Sequence, residues 1–210
     1  MSAATALGIG KHDNGRRVTY QDFADTIAET AADPGTELRE MFGRIALTVL
    51  INNVDDHWRN HGFLHTDAGW QLSPLFDVNP SPRRGAIDSR SISNEDDPRS
   101  RDIRNLSAIS DDYGLTPEEG AHIIQSVAAE VAKWPQVAVE LGVSEDQIEL
   151  MAPAFDEEQA HHATDIGISA PINIDLAGNA GEKSATGQVR GHMRSGKPVR
   201  GHTRRRPRTQ

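Results

Sequence analysis

Residues 53–60 read Asn-Val-Asp-Asp-His-Trp-Arg-Asn, and a further aspartate, Asp77, follows in Leu-Phe-Asp-Val. Carboxylates and an amide at this spacing suit phosphoryl transfer. Its transition state is mostly charge, so catalysis is positioning plus electrostatics. One carboxylate must accept or orient the proton of the attacking hydroxyl. Hard oxygen donors must hold Mg²⁺ on the phosphates, since Mg²⁺ takes carboxylate, amide oxygen and water. Asp55 precedes Asn60 by five residues, the separation that such a base and such a ligand keep on one loop. Asp56 stands four from Asn60, so Asp55 is read as the base. Asn60 and Asp77 are read as the Mg²⁺ ligands, and His57 as a neutral imidazole bracing the loop.

Other chemistry fits less well. His57 and His61 with Asp55 and Asp56 could make a transition-metal site, but ligands so close in sequence are hard to arrange around one ion. The plainest alternative is a helix end whose Asp, Asn and His cap turns. Order decides against it: base, amide, turn signal and second aspartate follow one another as phosphoryl transfer requires. Arg83, Arg84, Arg99, Arg101 and Arg104 could contact phosphates; ion pairing with carboxylates such as Asp96 and Asp97 is the simpler expectation. His161 and His162 are expected at the surface, and Trp70 and Trp134 in the core.

The elements around the loop follow from periodicity. Leu38, Met41, Phe42, Ile45, Ala46, Val49 and Leu50 fall at helical spacing and run directly into it. Thr19 with Asp22 predicts a capping box opening a helix through Phe23, Ala24 and Ile27. Gly62-Phe63-Leu64 and Trp70-Gln71-Leu72 flank Thr66-Asp67-Ala68-Gly69, a hairpin signal. Residues 78–115 predict irregular structure with a short helix near Ile103–Ile109. Thr116-Pro117-Glu118-Glu119 opens another helix, with Pro135 expected after its end. Ser144 to Gln147 predicts a last cap. Apolar periodicity fades after about Ala160.

Composition sets bounds. The chain has 210 residues and no cysteine, which excludes disulfides and thiolate metal sites and fits a cytoplasmic setting. No membrane span or signal peptide is predicted. Lys183 to Gln210 hold nine Lys or Arg and no acid, leaving 22 − 9 = 13 basic against 31 acidic groups before them. The body is therefore about −18 and the tail +9. The tail repeats Val-Arg-Gly-His and offers little to bury, so disorder is expected, with at most weak, non-specific nucleic-acid binding through 183–210.

At Asn53-Val54-Asp55-Asp56-His57-Trp58-Arg59-Asn60 and Pro74-Leu75-Phe76-Asp77 the chain resembles the HipA-like serine/threonine kinases, toxins of bacterial toxin–antitoxin pairs. The likeness is specific over residues 38–82, looser over 1–37 and 83–155, and does not cover the tail. It implies a mainly α fold and a kinase-like C-terminal lobe over 1–160 whose small β-hairpin carries the metal-binding Asp; composition, not the resemblance, predicts the disordered basic tail over 161–210. The resemblance further implies catalytic Asp55, Mg²⁺ and ATP held through Asn60 and Asp77, a protein Ser/Thr substrate, and a helix-turn-helix antitoxin as partner. The family's nucleotide-covering loop and phosphate-binding lysine have no match. "ALGIGK" (residues 6–11) lacks the spacing and the following strand, so the sequence is expected to start inside the C-terminal lobe and to be weak or inactive alone. The alternatives are a non-catalytic interaction module of a toxin–antitoxin system, and nucleic-acid binding led by the tail.

Overall fold

The computed structural model describes residues 1–10, 17–82, 90–97 and 101–167, with the backbone of 193–194 and 197–198. The chain forms two compact units, Met1–Ala170 and Pro171–Gln210. In the first, α1 (Ala3–Ala6), α2 (Tyr20–Thr30) and α3 (Pro34–Leu50) precede a hairpin of β1 (Phe63–Thr66) and β2 (Gly69–Leu72). Then come α4 (Ile103–Ala108), α5 (Pro117–Val131), α6 (Trp134–Glu140), α7 (Glu145–Met151) and α8 (Glu157–Asp165). Among the described residues of the second unit, β3 (Met193–Arg194) pairs antiparallel with β4 (Lys197–Pro198). The disorder expected of the tail otherwise falls on residues outside the described ones.

α3 is the axis of the first unit. Pro34 pre-sets its first turn, and Asp33 accepts hydrogen bonds from Thr36 N at 3.4 Å and Thr36 Oγ1 at 2.7 Å. Its seven predicted apolar positions are all buried. They pack against α2, α4 and α5, with Phe42 edge-on to Tyr113 at 5.3 Å between ring centroids. Burying each large aliphatic side chain stabilises by roughly 1.5–3 kcal/mol, so this face fixes the helix whatever the loop beyond requires.

The expected capping boxes at Thr19 and Thr116 both form, and Gln147 Oε1 reaches back to Ser144 N at 3.3 Å. The hairpin pairs Phe63 with Leu72 and Thr66 with Gly69. Buried Glu37 accepts from Leu72 N at 2.9 Å, and Arg44 Nη1 donates to Ser73 O at 2.7 Å, so α3 holds the second strand from beneath.

Three expectations give way. Pro135 does not follow a helix end: α5 stops at Val131, and Pro135 lies in the first turn of α6, where its missing N–H costs nothing. Trp134 stacks on Phe155 at 4.1 Å, apart from the main core, and Trp70 packs on the core's edge; Trp58 is the buried tryptophan. Helix α8 runs past residue 160, capped by Asp156 and seated through Ala163. Its His162 is half-buried, with Nδ1 3.9 Å from Asp102, whereas His161 is exposed.

Candidate active site

The apolar run of α3 ends through a left-handed residue. Asn52 has φ +46°, Asn53 N donates to Thr48 O at 2.9 Å, and Asn52 N donates to Val49 O at 3.1 Å. These two bonds form a Schellman turn, and asparagine tolerates the left-handed conformation better than most residues. The turn reverses the chain so that residues 53–61 cross the helix end. Asn52 Nδ2 also donates to Ser81 O at 2.7 Å, tying this turn to the segment after Asp77.

Beneath the loop lies Asp56, only 1% exposed. Its carboxylate accepts from Tyr20 Oη, lies 2.9 Å from His61 Nε2 and accepts from Arg101 Nη1 at 2.9 Å. Burial pushes this carboxyl upward. The His61 hydrogen bond, the Arg101 charge and the Tyr20 hydroxyl outweigh it and hold the group at about 2. The same burial, with the Asp56 charge, pushes the Tyr20 phenol well above its usual value. Arg101 Nη2 further donates to Asn53 O at 2.6 Å and Thr48 O at 3.4 Å. A guanidinium against the last carbonyls of a helix is favoured by their partial negative charge. Tyr20, Phe23, His61 and Trp58 close around the network, with Tyr20 and Trp58 edge-on at 5.2 Å.

Asp55, one residue earlier, faces the other way. Its side chain is 61% exposed, and the nearest imidazole, His57, has Nε2 3.8 Å from Asp55 Oδ1. Asn60 Nδ2 donates to the Asp55 carbonyl at 3.0 Å, and Asn60 N donates to His57 O at 2.8 Å. The structure thus brings Asp55, His57 and Asn60 together on one loop. The imidazole that braces a carboxylate at hydrogen-bond distance is that of His61. His57 Nδ1 is buried with no hydrogen-bond partner.

Asp77 lies beyond the hairpin, exposed and at φ +55°. Asn79 Nδ2 donates to Asp77 Oδ1 at 3.1 Å, and among the described residues no hydrogen bond joins Asp77 to Asn60. A non-glycine residue held at positive φ costs on the order of 1 kcal/mol and often marks a functional position. Among the described residues, the hydrogen bonds leave Asn60 Oδ1 and Asp77 Oδ2 unengaged, and both are hard oxygen donors that suit Mg²⁺. No group of three or more His, Cys, Asp or Glu among the described residues forms a metal cage, and the two acceptors would need water or phosphate oxygens to complete a shell.

Two of the candidate arginines, Arg101 and Arg104, pair with carboxylates. Arg101 goes to Asp56 rather than to Asp96 or Asp97, and Arg104 Nη2 lies 2.5 Å from Asp102. Asp96 accepts instead from Ile92 N and Ser93 N, both at 2.9 Å, while its carbonyl accepts from Arg17. Arg83, Arg84 and Arg99 lie outside the described residues. Sequence spacing passed over Asp56, Tyr20 and Arg101 as a site. The available signal was the acidic doublet itself: in a loop flanked by buried positions, only one of two neighbours can face solvent.

The family model described as HipA-like C-terminal domain matches residues 1–134. No curated protein matches the chain. A chain of the solved complex described as the Shewanella oneidensis MR-1 toxin antitoxin system HipA, HipB and its operator DNA is similar in fold. Its TM-score is 0.57 at 19% identity, covering 78% of this chain and 42% of that one. The present chain thus spans less than half the length of the chain that it matches. Among the described residues, no helix is long and apolar enough to cross a membrane.

Proposed function

The chain belongs to the HipA-like C-terminal domain family, and from that membership we propose that it holds the catalytic loop of an ATP- and Mg²⁺-dependent kinase that phosphorylates a protein Ser or Thr hydroxyl. The observation that carries this reading is the contrast within the acidic doublet: Asp56 is locked beneath the loop, while Asp55 faces solvent with Asn60 bonded to its carbonyl.

In this reading Asp55, exposed beside His57, receives the hydroxyl proton. The substrate oxygen attacks the γ-phosphorus of ATP, the bond to the β–γ bridging oxygen breaks, and ADP leaves with that electron pair. The hydroxyl proton passes to the Asp55 carboxylate and then to water. Mg²⁺, when bound, would neutralise the phosphate charge, with Asn60 Oδ1 and Asp77 as its protein donors. His57 flanks the carboxylate, and the Asp56–Arg101 pair keeps the loop from collapsing onto the helix end. The matched complex contains HipA and HipB, which supports a helix-turn-helix antitoxin as this chain's partner. A lobe that ends after α8 rather than at residue 160 belongs to the same proposal, with weak salt-dependent nucleic-acid contact through 183–210.

Two readouts test the site. With Mn²⁺ and ADP as probes, paramagnetic broadening in the amide spectrum should centre on Asn60 and Asp77; broadening spread over the acidic surface counts against the assignment. Complemented with the nucleotide-binding lobe of a HipA-like kinase, the chain should transfer the γ-phosphate, and Asp55→Asn should lower the rate by about 10²–10⁴-fold without changing the melting curve. Transfer that survives Asp55→Asn would rule out Asp55 as the base.

A further inference from the structure

The family match ends at residue 134, where α6 begins. Helices α6 and α7 form an arm in which no residue is buried. Trp134 and Phe155, stacked with an interplanar angle of 3°, clamp its base. Beyond that clamp the apolar side chains face outward: Val139 is 61% exposed, Leu141 77% and Leu150 69%. A groove of about 630 Å³ opens on the arm, floored by Pro135, Val139 and Ile148 and edged by Glu140, Glu145 and Glu149. Residues 135–151 contain four acids and no Lys or Arg.

An apolar floor with acidic edges selects its occupant by charge. Exposed side chains of this size gain from being covered, and the arm's own helices do not cover them. A second copy of the chain would bring an identical acidic edge against this one, and like charges across an interface are penalised. We propose that the α6–α7 arm is a docking groove for a cationic amphipathic helix of another protein. The helix lays an apolar stripe on Val139 and Ile148 and presents Lys or Arg to Glu140, Glu145 and Glu149. This is helix-in-groove recognition, with the apolar stripe supplying affinity and the flanking charges selectivity.

The probe is a fluorescein-labelled helical peptide of about 14 residues, some four turns, with a Leu stripe flanked by Lys. Its controls are a Lys-to-Glu version and a scrambled version without the stripe. Anisotropy titration against the full 210-residue chain should show both controls binding at least about tenfold more weakly, a difference of about 1.4 kcal/mol. Val139→Asp should weaken the Lys peptide by a similar factor while the melting curve stays unchanged. Glu145→Lys with Glu149→Lys should invert the preference in favour of the Glu peptide. Equal binding of all three peptides, no binding, or indifference to Val139→Asp overturns the proposal. So does a dimer in sedimentation that Val139→Asp dissolves, because the groove would then be a self-interface.

Discussion

Arg101 lies 2.9 Å from Asp56 beneath the loop of residues 53–61, and Lys133 lies 2.6 Å from Glu130 at the foot of the helical arm. The shorter pair is the weaker. Both Lys133 and Glu130 are more than half exposed, whereas the side chains of Arg101 and Asp56 are 6% and 2% exposed. In water the two charges of a surface pair trade one set of hydrogen bonds for another. Under the loop, each charge has lost its water and depends on its protein partners. Asp56 has three such partners, and Arg101 satisfies two backbone carbonyls besides. Separation alone does not rank the pairs; burial and the completeness of the hydrogen bonding do.

The largest effect should come from breaking the buried pair. Arg101→Met keeps much of the side-chain length but leaves Asp56 charged and under-partnered, and should cost about 3–5 kcal/mol in urea unfolding. Adding Asp56→Asn should recover part of that loss, because the double variant leaves no orphan charge. A loss for Arg101→Met below about 1 kcal/mol would place this pair in the same class as the surface one.

Acid sharpens the same comparison. Asp56 is held at about 2 in the fold against an ordinary value of 3.8. A depressed carboxyl contributes stability that is fully present above its unfolded value and is lost as pH falls toward its folded value. The contribution is on the order of 2 kcal/mol near neutral pH and should fade between about pH 4 and pH 2. Unfolding free energies measured across that range should show the fall in the native chain and a much smaller one in Asp56→Asn. Equal slopes would mean that other carboxylates dominate the acid transition.

What the sequence revealed divides along the line between local and distant contacts. The α3 stripe, the caps at Thr19 and Thr116 and the hairpin turn are set by neighbours a few residues apart, and spacing alone placed them. The Asp55–Asn60 contact is local as well. The anchor beneath it joins Tyr20, Asp56 and Arg101 across 36 and 45 residues, and no local pattern encodes such a pairing. Helix α8 escaped notice because its face is built from alanine: Ala160 and Ala163 bury too little area to stand out as periodicity. Helix α6 escaped because proline at its first turn was taken as a stop, although proline is disfavoured only further inside a helix.

The smallest effect is expected at the arm. Lys133→Met removes the 2.6 Å contact with Glu130, but the Glu130 carboxylate then returns to water that already surrounds it. The loss should be at most about 0.5 kcal/mol at low salt, within the usual range for exposed pairs. It should vanish near 1 M salt, where the screening length is about 3 Å. The Arg101→Met loss should persist at that salt, since little solvent reaches the buried charge. Two urea titrations of each variant, at low and high salt, make the test. If the Lys133 effect exceeds about 1 kcal/mol or survives high salt, the foot of the arm is stiffer and drier than its exposure indicates. If the Arg101 effect collapses with salt, the Asp56 carboxylate is solvated, and the loop has no buried anchor to hold Asp55 outward.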